Sequence, residues 1–401
     1  MLIYNLNLCL IIMVFFYGKI KKSILGTEKS KFSDVLIFLS LWLVSGFRYM
    51  VGTDFNAYNL YFENLGSYNL KYPYYEKGYY VLNYVIKLLM DNSQYIFLAT
   101  SFITIFLITK TLKDYSNSYI LSVFLFVTMY FYYNSFNLVR QYLVVAILFY
   151  AIKYILNKSF KKYLLVITIA SFFHITALAM IPFYWILRKK FSNLMYLFML
   201  AVSVCLSLFT TNIVNLVASI FGKFSVYNNY LVEGSSTKSI IMITSAIILF
   251  SLINKNKLSR INENSIIYIN GVYFALVFSV IAIGNILFFR VAIYFYIYSL
   301  LLIPLFLAAI DKKLRPVIYT LIFMILTAYH YYLLFNNNAG VFPYDYNVNI
   351  STDSGQLPLI TIAVIVVLLF VICLKYNRSL NKKQIKTKQH IISLNKSKTQ
   401  L

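Results

Sequence analysis

Long apolar segments separated by short polar ones run through almost the whole chain. Helices that cross a bilayer need about 17–25 apolar residues, whereas barrel strands alternate apolar and polar positions over about ten residues. The pattern therefore predicts an all-α polytopic membrane protein with about 11–13 transmembrane helices. The predicted spans are 2–17, 33–48, 95–109, 119–133, 138–156, 192–210, 238–254, 265–283, 288–310, 316–335 and 358–375.

Composition supports this assignment. Hydrophobic residues make up 61% of the 401 residues, charged residues 12%, and the mean hydropathy is +0.73. A soluble domain has too little interior to bury so much apolar surface, whereas a bilayer accepts it. We predict one transmembrane domain over residues 1–375 and a basic, disordered tail over 376–401.

The distribution of basic residues predicts the orientation. The net charge is +24, but most of the 36 lysines and arginines lie in short loops between spans, so the positive-inside rule explains them and no nucleic-acid partner is expected. The loops predicted to be cytoplasmic are 18–34, 110–118, 157–162, 188–190, 255–264 and 311–315, together with the tail. The N-terminus is then outside and the C-terminus inside. The predicted outer loops are 49–94, 211–237 and 336–357.

Two segments do not fit simple spans. Residues 78–90 are too short to cross a bilayer comfortably and predict an interfacial or half-inserted helix. Residues 163–187 are flanked by basic residues on both sides, Lys161-Lys162 before and Arg188-Lys189-Lys190 after. If both basic clusters are cytoplasmic, the segment enters the membrane and returns, breaking near His174. A single span with basic residues at both ends is the alternative.

Three arginines are exceptions on the predicted outer side. Arg48, Arg140 and Arg290 each lie at an outer helix end and outside any basic cluster. An arginine in such a place usually faces a cavity or a partner charge, and its guanidinium binds phosphate oxygens in a bidentate fork. Convergence of the three would make a diphosphate site. The alternative is that each extends to lipid headgroups or pairs with Asp54 or Glu76.

Carboxylates and a histidine complete the candidate chemistry. Asp54 follows Gly52-Thr53, where glycine permits a tight turn, and Glu76 precedes Gly78. Either carboxylate could orient an arginine, bind a sugar or act as a base, and a structural ion pair is equally open. His174 interrupts an apolar segment, where an ionisable group is costly and often functional. Both His174 and Asp54 remain candidates for the base.

Several chemistries are not expected. The three cysteines lie in apolar segments, and no cluster of histidine and acidic residues has the spacing of metal ligands. A phosphate-binding Walker loop, a serine-hydrolase elbow and a dinucleotide fingerprint are also missing from the sequence. We therefore expect no metal and no cofactor.

Four short motifs in order carry a resemblance. They are Arg48-x3-Gly52-Thr53-Asp54-x3-Tyr58, Glu76-x-Gly78, Asn137-x2-Arg140-Gln141 and Ala170-x2-Phe173-His174-x2-Ala177. In these motifs the chain resembles the EpsG family, which is similar to the Wzy-type polymerases of O-antigen, capsule and exopolysaccharide. The likeness is best over about residues 40–190, and Arg290 is a weaker match.

The resemblance implies a metal-independent glycosyltransferase of the GT-C kind in the bacterial cytoplasmic membrane. It implies transfer of a growing glycan from one undecaprenyl-diphosphate carrier to another lipid-linked repeat unit on the outer side. The catalytic candidates are then His174 and Asp54. The implied substrate-binding residues are Arg48, Gly52, Thr53, Tyr58, Glu76, Arg140 and Arg290. A protein that regulates chain length is one partner that the resemblance leaves open. The alternatives are a lipid-linked oligosaccharide translocase or transporter, an O-antigen ligase and an acyltransferase.

Overall fold

A computed structural model of the chain describes residues 1–25, 31–66, 76–221, 235–285 and 287–346. These residues are mainly helical, and within the described ranges the extended pairing is one isolated bridge between Arg48 and Tyr346. The helices are α1 (Leu2–Leu25), α2 (Lys31–Gly46), α3 (Phe55–Glu63), α4 (Lys77–Met90), α5 (Gln94–Tyr115), α6 (Tyr119–Thr128), α7 (Phe131–Asn137), α8 (Val139–Tyr150), α9 (Ile152–Leu156), α10 (Phe160–Ser171), α11 (Phe183–Ile186), α12 (Asn193–Phe221), α13 (Ser235–Ile253), α14 (Lys255–Ile261), α15 (Ser265–Ile281), α16 (Leu287–Tyr296), α17 (Ser299–Ala309) and α18 (Arg315–Phe335), with 3₁₀ turns at Ile175–Met180 and Asn338–Gly340.

The all-α membrane fold is confirmed. Four helices are long and apolar enough to cross a bilayer, or up to seven if each bent pair is one span, and three shorter apolar helices add to them. Each of these matches one predicted span in order. The predicted span 358–375 and tail 376–401 lie outside the described residues, as do parts of the three predicted outer loops.

Helix bounds differ from the prediction in places that hydropathy does not resolve. α12 continues to Phe221, beyond its predicted end at 210, because the next residues remain largely apolar. The predicted span 119–133 is two helices bent by 52°, with Tyr130 between them in the left-handed region at φ 70°. The short helix α3 lies inside the predicted loop 49–94 and was not predicted.

Residues 160–186 form a hairpin. The Phe160 ring lies 4.5 Å from the Trp185 ring, and the Tyr163 hydroxyl donates to the Met180 carbonyl at 3.2 Å. The two arms are therefore antiparallel, and the chain reverses at residues 172–174. The chain therefore reverses near His174 as predicted, whereas entry into the membrane from the cytoplasmic side stays a prediction. The basic end of the hairpin is the end that carries Lys161-Lys162 and Arg188-Lys189-Lys190. Because α10 has 12 residues at about 1.5 Å rise each, the tip lies about 18 Å from this basic end.

Packing joins the two halves of the described chain. α5 packs between α2 and α8, while α15 packs against α12, α13 and α16. Contacts of α8 with α16 and of α6 with α17 connect these groups. The first turns of α8 and α16 are joined by the bond from Gln141 to the Arg290 carbonyl, and the start of α4 meets the hairpin tip where the Gly78 amide donates to the Phe172 carbonyl.

Residues 336–346 cover the turn after α2. The Gly52 amide donates to the Gly340 carbonyl at 2.9 Å, and the Tyr4 hydroxyl donates to the Val341 carbonyl at 2.6 Å. A late loop therefore holds the earliest motif in place.

Candidate functional site

Glu76 contacts both His174 and Arg140 and lies at the centre of a cluster of polar side chains. One carboxylate oxygen is 2.8 Å from Nδ1 of His174 and accepts from the Ile175 amide at 3.2 Å. The other oxygen accepts a hydrogen bond from Nη1 of Arg140 and forms an ion pair with it. One side chain therefore joins the start of α4, the hairpin tip and the start of α8. All three groups are largely buried, with side-chain exposures of 17% for Glu76, 18% for Arg140 and 6% for His174.

The glycine two residues later makes this contact possible. The Gly78 amide donates to the Phe172 carbonyl at 2.8 Å. A Cβ atom at position 78 would lie 2.7 Å from that oxygen and 2.9 Å from the carbonyl carbon. Such distances are too short for nonbonded atoms, and both neighbours are backbone, so only glycine allows α4 to begin directly against the hairpin tip.

Gly78→Ala is expected to displace the hairpin tip from Glu76 and to lower activity by at least about tenfold, because small misplacements of reacting groups are costly. The measurement is activity per amount of protein in the membrane. Gly46→Ala is the matched control, since a Cβ atom there first meets the flexible end of the Leu98 side chain. Equal activity in the two variants would contradict the role assigned to Gly78.

His174 is held in one tautomer. Because the Glu76 carboxylate can only accept, Nδ1 carries the proton and Nε2 carries the lone pair. Nε2 is buried and has no hydrogen-bond partner among the described residues. The arrangement resembles the carboxylate–imidazole pair of hydrolases, where the carboxylate orients the ring and the second nitrogen accepts a proton.

The electrostatics suit that role. Burial raises the pKa of Glu76, but the hydrogen bond from His174 and the positive charge of Arg140 outweigh burial and bring its pKa to about 2. The ionised Glu76 carboxylate accepts the proton on Nδ1, and the neutral imidazole keeps the lone pair on Nε2.

Asp54 occupies the nearby turn. Gly52 adopts φ +99°, and a Cβ atom there would lie 2.5 Å from Oδ1 of Asn137, so the turn requires glycine. The Thr53 hydroxyl donates to the Asp54 carboxylate at 3.1 Å. Burial raises the pKa of Asp54, whereas Thr53 and the charges of Arg290 and Arg140 lower it.

Arg140 and Arg290 act on the same groups. Their charges also act on His174, so both guanidinium groups lie within electrostatic reach of the histidine and of Asp54. Tyr58 is buried and hydrogen-bonds with Arg140. The structure thus brings four of the predicted residues, Tyr58, Glu76, Arg140 and His174, into direct contact, and Asp54 and Arg290 lie within electrostatic reach of them.

Arg48 lies apart from this cluster. It is 1% exposed, donates to the Phe136 carbonyl at 3.1 Å and to the Ser45 carbonyl, and lies between the rings of Phe97 and Phe136 at 4.7 and 4.9 Å. No described carboxylate is within ion-pair distance of it. Its predicted role in diphosphate binding stays a prediction, and this burial favours a structural role.

A further contact, which was not predicted from the sequence, joins the hairpin to α16. The Thr176 and Tyr294 hydroxyl groups are 2.8 Å apart. Tyr294 follows Arg290 by one helical turn, so the two share a face of α16. The spacing of Arg290 and Tyr294, two polar residues one turn apart in an otherwise apolar helix, could have indicated from the sequence that this face of α16 is functional.

Comparison with known proteins gives one result. The model of the EpsG family matches residues 31–346, and neither the curated proteins nor the solved structures gave a match. The matched range contains every residue of the cluster.

Proposed function

Since the chain belongs to the EpsG family, we propose that it is a membrane polysaccharide polymerase that uses lipid-diphosphate-linked glycans. The growing glycan leaves an undecaprenyl-diphosphate carrier and is joined to another lipid-linked repeat unit on the outer side of the bacterial cytoplasmic membrane. The observation that carries the proposal is the Glu76 carboxylate, which holds His174 and Arg140 in one buried cluster.

The proposed step is a substitution at the anomeric carbon of the growing glycan. A hydroxyl oxygen of the acceptor sugar forms the new C–O bond and loses its proton to Nε2 of His174. The bond between the anomeric carbon and the carrier's diphosphate oxygen breaks, and the electron pair leaves with the diphosphate. Glu76 stabilises the imidazolium that forms, as the carboxylate of a catalytic triad does.

The arginines bind the leaving group in this proposal. Charge develops on the diphosphate as the glycosidic bond breaks, and preorganised guanidinium groups stabilise it most in the transition state. Arg140 and Arg290 are the candidates for this role, because Arg140 is held by Glu76 beside His174 and the Arg290 main chain is bonded by Gln141, the residue after Arg140. Asp54 accepts hydrogen bonds from the sugar between them.

The hairpin explains how His174 reaches an outer substrate. Its tip lies about 18 Å from the basic end, which is more than half of a hydrocarbon core of about 30 Å. In this proposal the basic end lies at the cytoplasmic face, so the tip passes the midplane and contacts Glu76 in the predicted outer loop 49–94. Irregular backbone at that depth is tolerated because His174 and Ala177 are buried within the protein.

Deleting the gene tests the proposal in cells. Electrophoresis of surface glycan is expected to show a single repeat unit in place of a ladder. The purified full-length protein in proteoliposomes, supplied with undecaprenyl-diphosphate-linked repeat units, is expected to restore the ladder. A normal chain-length distribution after deletion would contradict the proposal, and complete loss of surface glycan would favour a translocase or a ligase.

A further inference from the structure

Gln141 connects the two arginines of the cluster. Its Nε2 atom donates to the main-chain carbonyl of Arg290 at 2.6 Å, and it directly follows Arg140 on α8. Gln141 is 3% exposed, and its Oε1 atom has no partner among the described residues. The side chain therefore acts as a short strut between the backbone of α8 and that of α16.

Further contacts fix both ends of this strut. On the α8 side, the Arg140 guanidinium is held by the Glu76 carboxylate. On the α16 side, the hydroxyl of Tyr294 bonds the hydroxyl of Thr176, one turn beyond Arg290. These contacts fix the Arg140 guanidinium and the main chain at Arg290, and Gln141 is the direct link between the two helices.

A fixed separation matters only for a ligand that touches both arginines at once. A diphosphate has two phosphate groups, so each arginine can contact a different phosphate of the same ligand. When two contacts belong to one ligand, the second forms at a high effective concentration, provided that the spacing fits. Loss of the spacing therefore weakens diphosphate binding selectively.

We propose that Gln141 is a positioning residue that sets the separation of Arg140 and Arg290 and thereby makes the site prefer a diphosphate over a single phosphate. This inference rests on the proposed role of the arginines as ligands of the leaving group. Gln141 would then determine the preference for a diphosphate, which neither the base nor the arginines alone determine.

The test measures binding of inorganic diphosphate and inorganic phosphate to the purified full-length protein, by the shift in thermal unfolding and by inhibition of polymerisation. The wild type is expected to bind diphosphate more tightly than phosphate. Gln141→Leu is expected to weaken diphosphate binding about tenfold, because the free energy of about one hydrogen bond between the helices is lost. The affinity for phosphate is expected to change less than about twofold.

Gln94→Leu is the matched control. Gln94 is also buried and donates its amide to main-chain carbonyls, those of Gly46 at 2.6 Å and Arg48 at 3.1 Å. A purely structural loss would appear in both variants, whereas only Gln141→Leu is expected to change the ratio of diphosphate to phosphate affinity. Gln141→Met, which keeps the length and removes the donor, replaces Gln141→Leu if that variant does not accumulate.

The outcomes separate the inference from the proposed function. An unchanged affinity ratio in both Gln141 variants, or an equal loss for both anions, overturns the inference while polymerisation by the wild type stands. A wild type that polymerises without preferring diphosphate overturns the inference as well. A wild type that makes no polymer from lipid-linked repeat units overturns the proposed function, whatever the anion ratio is.

Discussion

His174→Ala is expected to lower the rate of polymerisation about 10²–10⁴-fold, the usual contribution of a general base, while the protein stays in the membrane at its normal level. The reason is the free Nε2 lone pair that the Glu76 contact preserves. The measurement is the initial rate of ladder formation per amount of purified protein. His330→Gln is the matched control, because His330 is also buried in a helix but packs against Tyr130 and Tyr133 instead of Glu76.

The pH dependence identifies the base. The rate should rise with pH as His174 loses its proton. Because the Glu76 carboxylate stabilises the imidazolium, Glu76→Gln should move the acid limb to lower pH and reduce the plateau. If the limb persists unchanged in His174→Ala and disappears in Asp54→Asn, then Asp54 is the base and the assignment to His174 is wrong.

Arg140→Ala and Arg48→Ala are both expected to reduce polymer formation, but for different reasons. Arg140→Ala should lower the rate about 10²–10³-fold, as removal of one group that stabilises transition-state charge does, with normal protein abundance. Arg48→Ala should instead destabilise the protein by on the order of 3 kcal/mol, because two main-chain carbonyls lose a charged donor and two rings lose a cation. Thermal unfolding in detergent and the amount of protein in membranes measure the difference.

The control for both variants is Arg188→Ala. Arg188 donates to the Tyr184 carbonyl at 3.0 Å and stacks on its ring at the basic end of the hairpin, away from Glu76. We expect it to change neither the rate nor the abundance by much. Abundant Arg48→Ala protein that makes no polymer would contradict the structural role of Arg48 and support the diphosphate role predicted from the sequence.

Much of the fold could be predicted from the sequence, because a bilayer imposes it. Apolar segments of sufficient length must be helical when no water can satisfy their backbone, and the positions of lysines and arginines indicate where chains turn back. This argument yields the spans and the hairpin at His174. It does not yield the bend at Tyr130 or the helix α3, which depend on local conformation and on packing from other elements.

The site could be predicted only as a set of residues. Glu76 and His174 are 98 positions apart, and nothing in either motif indicates that one carboxylate bridges the histidine and Arg140. The charge pattern marks Arg48 as exceptional, but a pattern does not say which way a side chain points. Its burial between Phe97 and Phe136 is a consequence of tertiary packing alone.

The bond from Tyr4 to the Val341 carbonyl has a consequence for biogenesis. The two residues are 337 positions apart, so at about 5–20 residues per second the ribosome needs very roughly 20–70 s between making one partner and the other. During that interval the Gly52 turn also lacks its cover, because Gly340 has not yet been made. The turn that carries Asp54 therefore gains its cover only after Gly340 has been made, and nascent chains that stall before this loop are expected to be inactive and prone to quality-control degradation.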